Sequence, residues 1–155
     1  MTRSPFYLIA GAALLIGCSN ADAPAISEAP SSVAQEVVSS VADMPVKTKA
    51  VLIYADWCGS CKVLDPAVKK VQGMGPIPGA EFVTLDYTDK DDEAFFAAAE
   101  AAGVGPAIRS ALDGKVKTGQ LFLVDLDDQA VIQKITKDDA APTILSKIQD
   151  AVAQS

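Results

Sequence analysis

The sequence predicts an α/β fold, with a central mixed four-stranded sheet covered by helices on both faces. Three observations predict it. Short apolar runs rich in β-branched residues alternate with helical stretches apolar on one face. The last two runs are separated only by a turn. The first run, residues 49–55, is apolar at nearly every position, as a strand buried on both faces requires. Strands that alternate with helices and end in a hairpin imply a layered, mixed sheet.

The elements follow in order. Val33, Val37 and Val41 recur every four residues, and Ser32 with Gln35 fits a capping box, so a helix is expected over about 32–42, before Pro45. KAVLIYA (49–55) is the first strand. A helix begins after Cys58 and carries Val63, Leu64, Ala67, Val68 and Val71 to about Gln72. Residues 73–79 hold two prolines and three glycines and read as turns. EFVTLDY (81–87) is the second strand. An Ala-rich helix opens at Asp89 to Glu93 and runs to about Ala102. The acidic residues Asp86, Asp89, Asp91, Asp92 and Glu93 could suggest a metal. A solvated loop with first-turn charges is the better reading, because carboxylates there complement the helix dipole. QLFLVDL (120–126) and AVIQKI (130–135) form a hairpin about an Asp-Asp-Gln turn. Pro142 lies in the first turn of a last helix with Ile144, Leu145, Ile148 and Val152 on one face.

Composition narrows the function. Lys and Arg number 13 against 20 Asp and Glu, a net charge of −7 with no basic block. Nucleic acid is not an expected partner, since phosphate neutralisation by cations supplies most of that affinity. There is no His, which excludes Ser-His-Asp and Cys-His catalysis and His-ligated metal sites.

Three cysteines remain. Cys18 closes an N-terminal segment with the cation Arg3, an apolar run from Phe6 to Ile16 and the end Leu15-Ile16-Gly17-Cys18. A membrane span needs about 20 apolar residues, so residues 1–17 read as a signal peptide. Leu-Ile-Gly-Cys resembles the bacterial lipobox, which implies that Cys18 is lipidated and becomes the first mature residue. An ordinary secretory signal with an incidental Cys is the alternative. The lipobox reading implies a membrane anchor in the cell envelope, facing the periplasm. Ser19 in place of Asp favours the outer over the inner membrane. Residues 18–30, rich in Ala, Ser and Pro, read as a flexible tether, and 31–155 as one globular domain.

Cys58 and Cys61 lie in Ala55-Asp56-Trp57-Cys58-Gly59-Ser60-Cys61-Lys62, between the first strand and its helix. A thiol at a helix N-terminus ionises more readily, because free N–H groups and the dipole stabilise the thiolate. Cys61 is one turn on and can reach back. Cys58 is the expected nucleophile and Cys61 the resolving thiol of a disulfide exchange. A structural disulfide, half of a zinc site and a copper-carrying pair are the competing readings. Trp57 is expected as an exposed indole rim beside the sulfur, with plain core as the alternative.

YADWCGSCKVLDPAV closely resembles the active-site stretch of the thioredoxin-fold family. Pro66, five residues after Cys61, matches the proline of that family's active-site helix. DWC-x-x-CK and LDYTDKDDEAF are most similar to the C-terminal periplasmic domain of the DsbD reductases. The resemblance covers about residues 32–153. It implies a thioredoxin fold and a thiol–disulfide oxidoreductase that needs no cofactor or metal beyond a redox-active Cys58–Cys61 disulfide. It also implies disulfide-containing envelope proteins and an upstream thiol donor as partners. Gly59 and Ser60 tune the potential, and with no His beside Cys58 the expected direction is reduction or exchange. Trp57, Lys62 and Pro66 support the site.

Two positions depart from the family. Leu52 stands where a buried Asp is usual. Alignment on LFLVDL puts Thr118 and Gly119 at the site of the family's cis-proline, with Gly119 replacing it; Pro106 is the competing register. Residues 105–117 then form an insertion beside the active site, with a short helix at 107–112, which either shapes partner choice or merely elaborates the surface. A non-catalytic binding lipoprotein and a thiophilic-metal carrier remain the rival functions. Insulin reduction and Cu(I) titration separate them.

Overall fold

The computed structural model describes residues 44–155. The helix expected over 32–42, the tether, the signal segment and Cys18 lie outside the described residues. In order, the elements are β1 (Thr48–Tyr54), α1 (Cys61–Gln72), β2 (Ala80–Asp86), α2 (Asp92–Ala101), α3 (Gly105–Leu112), β3 (Gln120–Asp125), β4 (Ala130–Thr136) and α4 (Ala141–Gln154).

The sheet runs β2-β1-β3-β4. β1 pairs with β2 in parallel, from Thr48 with Ala80 to Tyr54 with Asp86. It pairs with β3 antiparallel, and β3 with β4 likewise. The expected mixed four-stranded sheet is therefore present. β1 is central and apolar from Ala50 to Ile53 because it is covered twice. Ala50 and Leu52 face a core built with Leu64, Val68 and Val71 of α1 and Ile144 and Ile148 of α4. Val51 and Ile53 face the opposite core, with Phe95 and Phe96 of α2 and Ile108 and Leu112 of α3. Alternation at period two sends neighbouring residues to opposite layers, so each strand residue serves one core.

Most boundaries fall within one or two residues of the sequence reading, as helix and strand ends do. Asp91 caps α2, its carboxylate accepting from the Ala94 N–H at 3.0 Å, and Asp92 and Glu93 fill the first turn. The 105–117 insertion needs correcting. Its helix starts at Gly105, with Pro106 in the first turn, and Ala107, Ile108 and Leu112 are buried in the second core. It is a layer-forming element and not a surface elaboration. The part that reaches the cysteines is the loop after it.

Candidate active site

The site is assembled at the C-terminal end of β1. Cys58 follows the strand through Ala55, whose carbonyl accepts the Cys58 N–H at 3.2 Å. Regular helix begins at Cys61, yet helical hydrogen bonding begins at Cys58. Its carbonyl accepts the Lys62 N–H at 3.3 Å, and its sulfur accepts the Cys61 N–H at 3.2 Å. The sulfur thus fills the place that an N-cap oxygen takes, three residues before its donor. No other side chain caps this helix. An N-terminal N–H that needs an acceptor and a sulfur that ionises by gaining donors satisfy each other.

Both cysteines are free thiols and buried, Cys61 completely. Their acidities are driven apart. Burial opposes ionisation of Cys58. Hydrogen bonds from the Cys61 thiol, the Thr118 hydroxyl and the backbone at Cys61 and Ser60 outweigh it, and the pKa falls below the ordinary thiol value. Burial pushes Cys61 up to about 11, helped by its hydrogen bond to Cys58 and by the charge there. The Cys61 thiol has a second acceptor, the Ile53 carbonyl at 3.7 Å. A low-pKa sulfur in front of a protonated one is the order that attack followed by resolution requires.

Gly119 closes the site from β3. Its N–H donates to the Ile53 carbonyl at 2.8 Å and its φ is +79°. A Cβ built there would lie 2.6 Å from the Ser60 Cβ and 3.2 Å from the Cys58 sulfur. The geometry places Thr118 and Gly119 opposite the cysteines, while Pro106 sits in α3. Leu52 is buried in the first core. Gly59 is open, with nothing near a Cβ, and Lys62 is exposed. Pro66 lies inside α1.

Trp57 is 47% exposed and so is not plain core. Its N–H donates to the Thr88 carbonyl at 2.9 Å, and Tyr87 meets it edge-on at 6.4 Å. Lys90 lies over the ring at 4.9 Å. The Asp56 N–H donates to the Thr88 hydroxyl at 3.1 Å. Thr88 and Lys90 escape a motif-based reading because they are some 30 residues away in sequence. The available signal is the parallel pairing of β1 and β2, which brings both strand ends and both following loops together. Tyr54, packed against the cysteine cluster, is likewise found only in three dimensions. Among the described residues, no group of three or more metal-ligating side chains is assembled.

The thioredoxin family model matches residues 30–117. No curated protein matches the sequence. Similar solved structures include a mutant thioredoxin from Halobacterium salinarum NRC-1, 20% identical with a TM-score of 0.44, covering 76% of this chain and 84% of that one. Thioredoxin f2 from Chlamydomonas reinhardtii is 16% identical with a TM-score of 0.43, over 72% and 85%. StoA from Bacillus subtilis is 11% identical with a TM-score of 0.46, over 67% and 84%.

Proposed function

This chain belongs to the thioredoxin family, and from that premise we propose that it is a thiol–disulfide oxidoreductase of the cell envelope. It acts through the Cys58–Cys61 pair, is tethered by lipidated Cys18, and reduces or exchanges disulfides in envelope proteins, as the DsbD-like wording of its motif suggests. The observation that carries the reading is the Cys61 N–H held 3.2 Å from the Cys58 sulfur, with the second thiol buried behind it.

The Cys58 thiolate attacks one sulfur of a partner disulfide. A Cys58–partner bond forms, the partner S–S bond breaks, and the released sulfur takes a proton from water. Cys61 then loses its proton and attacks Cys58. The Cys58–Cys61 bond forms and the partner leaves as a thiolate. Two electrons pass to the partner and the pair is oxidised. An upstream dithiol returns them. Thr118 and the helix N-terminus hold charge on Cys58 while it waits, and Trp57 offers the apolar rim against which a peptide can lie.

Insulin reduction with a dithiol regenerant tests the reading. The full chain is expected to precipitate insulin well above background, and Cys58→Ser to abolish the gain. Background rates from the unaltered chain would leave only a binding protein. Cys61→Ser should trap partners in cells as mixed disulfides on Cys58, identifiable by mass.

A further inference from the structure

The resolving step needs a thiolate at Cys61, and something must take its proton. We infer that Cys61 closes the mixed disulfide without a side-chain base, surrendering its proton to hydroxide or water, so that pH sets the lifetime of a captured partner. The inference rests on the exchange reading above and concerns its second half.

The surroundings of Cys61 carry it. Its sulfur is 0% exposed, and its thiol hydrogen bonds run to the Ile53 carbonyl and to Cys58. The remaining groups acting on it are the backbones of Ala55 and Gly119. A backbone carbonyl holds a thiol proton but cannot remove it. Once Cys58 is bonded to a partner it is no longer an acceptor.

Among the described residues, the titratable groups around the pair are few. From β1 comes Tyr54, a half-buried phenol packed against the cysteine cluster. The hydrogen bonds of the Cys61 thiol run to Ile53 and Cys58, not to this phenol. In the connecting loop Asp56 is exposed. On α1, Lys62 is exposed and cationic, and Asp65 is committed to Lys69 at 2.7 Å. From the β3 side come exposed Lys117 and then Thr118 and Gly119. Leu52, in the core, brings no carboxylate. With Cys58 tied up its charge no longer acts on Cys61, but burial, the larger cause of the raised pKa, remains.

The first step behaves differently, because donors already in place lower the pKa of Cys58. Capture should therefore flatten with rising pH before resolution does. Resolution should quicken about tenfold per pH unit while Cys61 stays protonated.

The test is stopped-flow reaction of the reduced full chain with dithiobis(nitrobenzoate), whose coloured thiolate is released once on attack by Cys58 and again on resolution by Cys61. Between pH 6.5 and 8.5 the second release is expected to accelerate about a hundredfold, with no plateau. Tyr54→Phe and Asp65→Asn should leave it unchanged at each pH. A second phase flat across this range, or slowed tenfold or more by either substitution while the first phase holds, overturns the inference and assigns a base. A first release with no second at any pH, and no Cys58–Cys61 disulfide by mass, overturns the exchange reading and this inference with it.

Discussion

Gly119 meets the reactive sulfur across a gap that admits no side chain. A methyl group there would press on the Ser60 Cβ at 2.6 Å and on the Cys58 sulfur at 3.2 Å, in a backbone conformation that L residues rarely adopt. Proline, the family's usual residue, is no substitute on this backbone. Its ring cannot reach a φ of +79°, and it lacks the N–H that Gly119 gives to Ile53. Gly119→Ala is expected to cost about 2–4 kcal/mol in stability, from left-handed strain and overpacking together. It should also move Ser60 and loosen the donors around Cys58, so that alkylation of Cys58 below neutral pH slows. Urea unfolding of the reduced protein and the pH profile of iodoacetamide labelling check both parts. Unaltered stability would mean that the Gly119 backbone can relax away from the helix start. In the sequence this position could be read only by aligning LFLVDL against a family pattern. The close contact with Ser60, across nearly 60 residues of chain, has no local signature.

At the scale of elements, periodicity exposed most of the architecture. β1 was legible because double burial leaves an unbroken apolar run, and α1 and α4 because one buried face repeats at helical spacing. The reactive pair was legible for a related reason. Strand, two cysteines a turn apart and amphipathic helix are written in one contiguous stretch. What that stretch could not disclose is that the sulfur itself serves as the helix cap, since capping depends on backbone directions. The short helix expected over 107–112 is present as α3, but its start at Gly105, with a proline in the first turn, and its burial were not legible in so short a stretch. Its place in the second core sets a prediction. Ile108, fully buried in the second core, should lose about 2–5 kcal/mol on replacement by Ala, the range for a large core aliphatic that leaves a cavity. A surface elaboration would lose well under 1 kcal/mol. Denaturant midpoints of Ile108→Ala and of exposed Ser110→Ala, compared at equal slope, decide between the two.

For the whole molecule, pairing topology decides what lies together. Parallel β1 and β2 bring Trp57 to Thr88, and antiparallel β3 delivers Thr118 and Gly119 to the same end from the opposite chain direction. The active end of the sheet is therefore built from three loops far apart in sequence, of which the cysteine loop alone declares its chemistry. The proposed anchor adds a constraint of its own. If Cys18 carries the lipid and residues 18–30 form a tether, that stretch allows at most about 45 Å of reach from the membrane surface. Partners must then come to that layer, or be held there themselves. Several acyl chains, at about 0.8 kcal/mol per buried methylene, make such attachment stable where one chain is marginal. Cys18→Ser, expressed in a bacterium that processes lipoproteins, is expected to shift the chain from the membrane pellet to the soluble fraction and to prevent incorporation of labelled fatty acid. The purified protein should keep its insulin reductase activity, because the lipidated cysteine takes no part in the exchange chemistry assigned to Cys58 and Cys61. An unlabelled parent chain would dismiss the anchor while leaving the dithiol chemistry intact. A labelled parent with an unlabelled, soluble and active variant would separate tethering from catalysis.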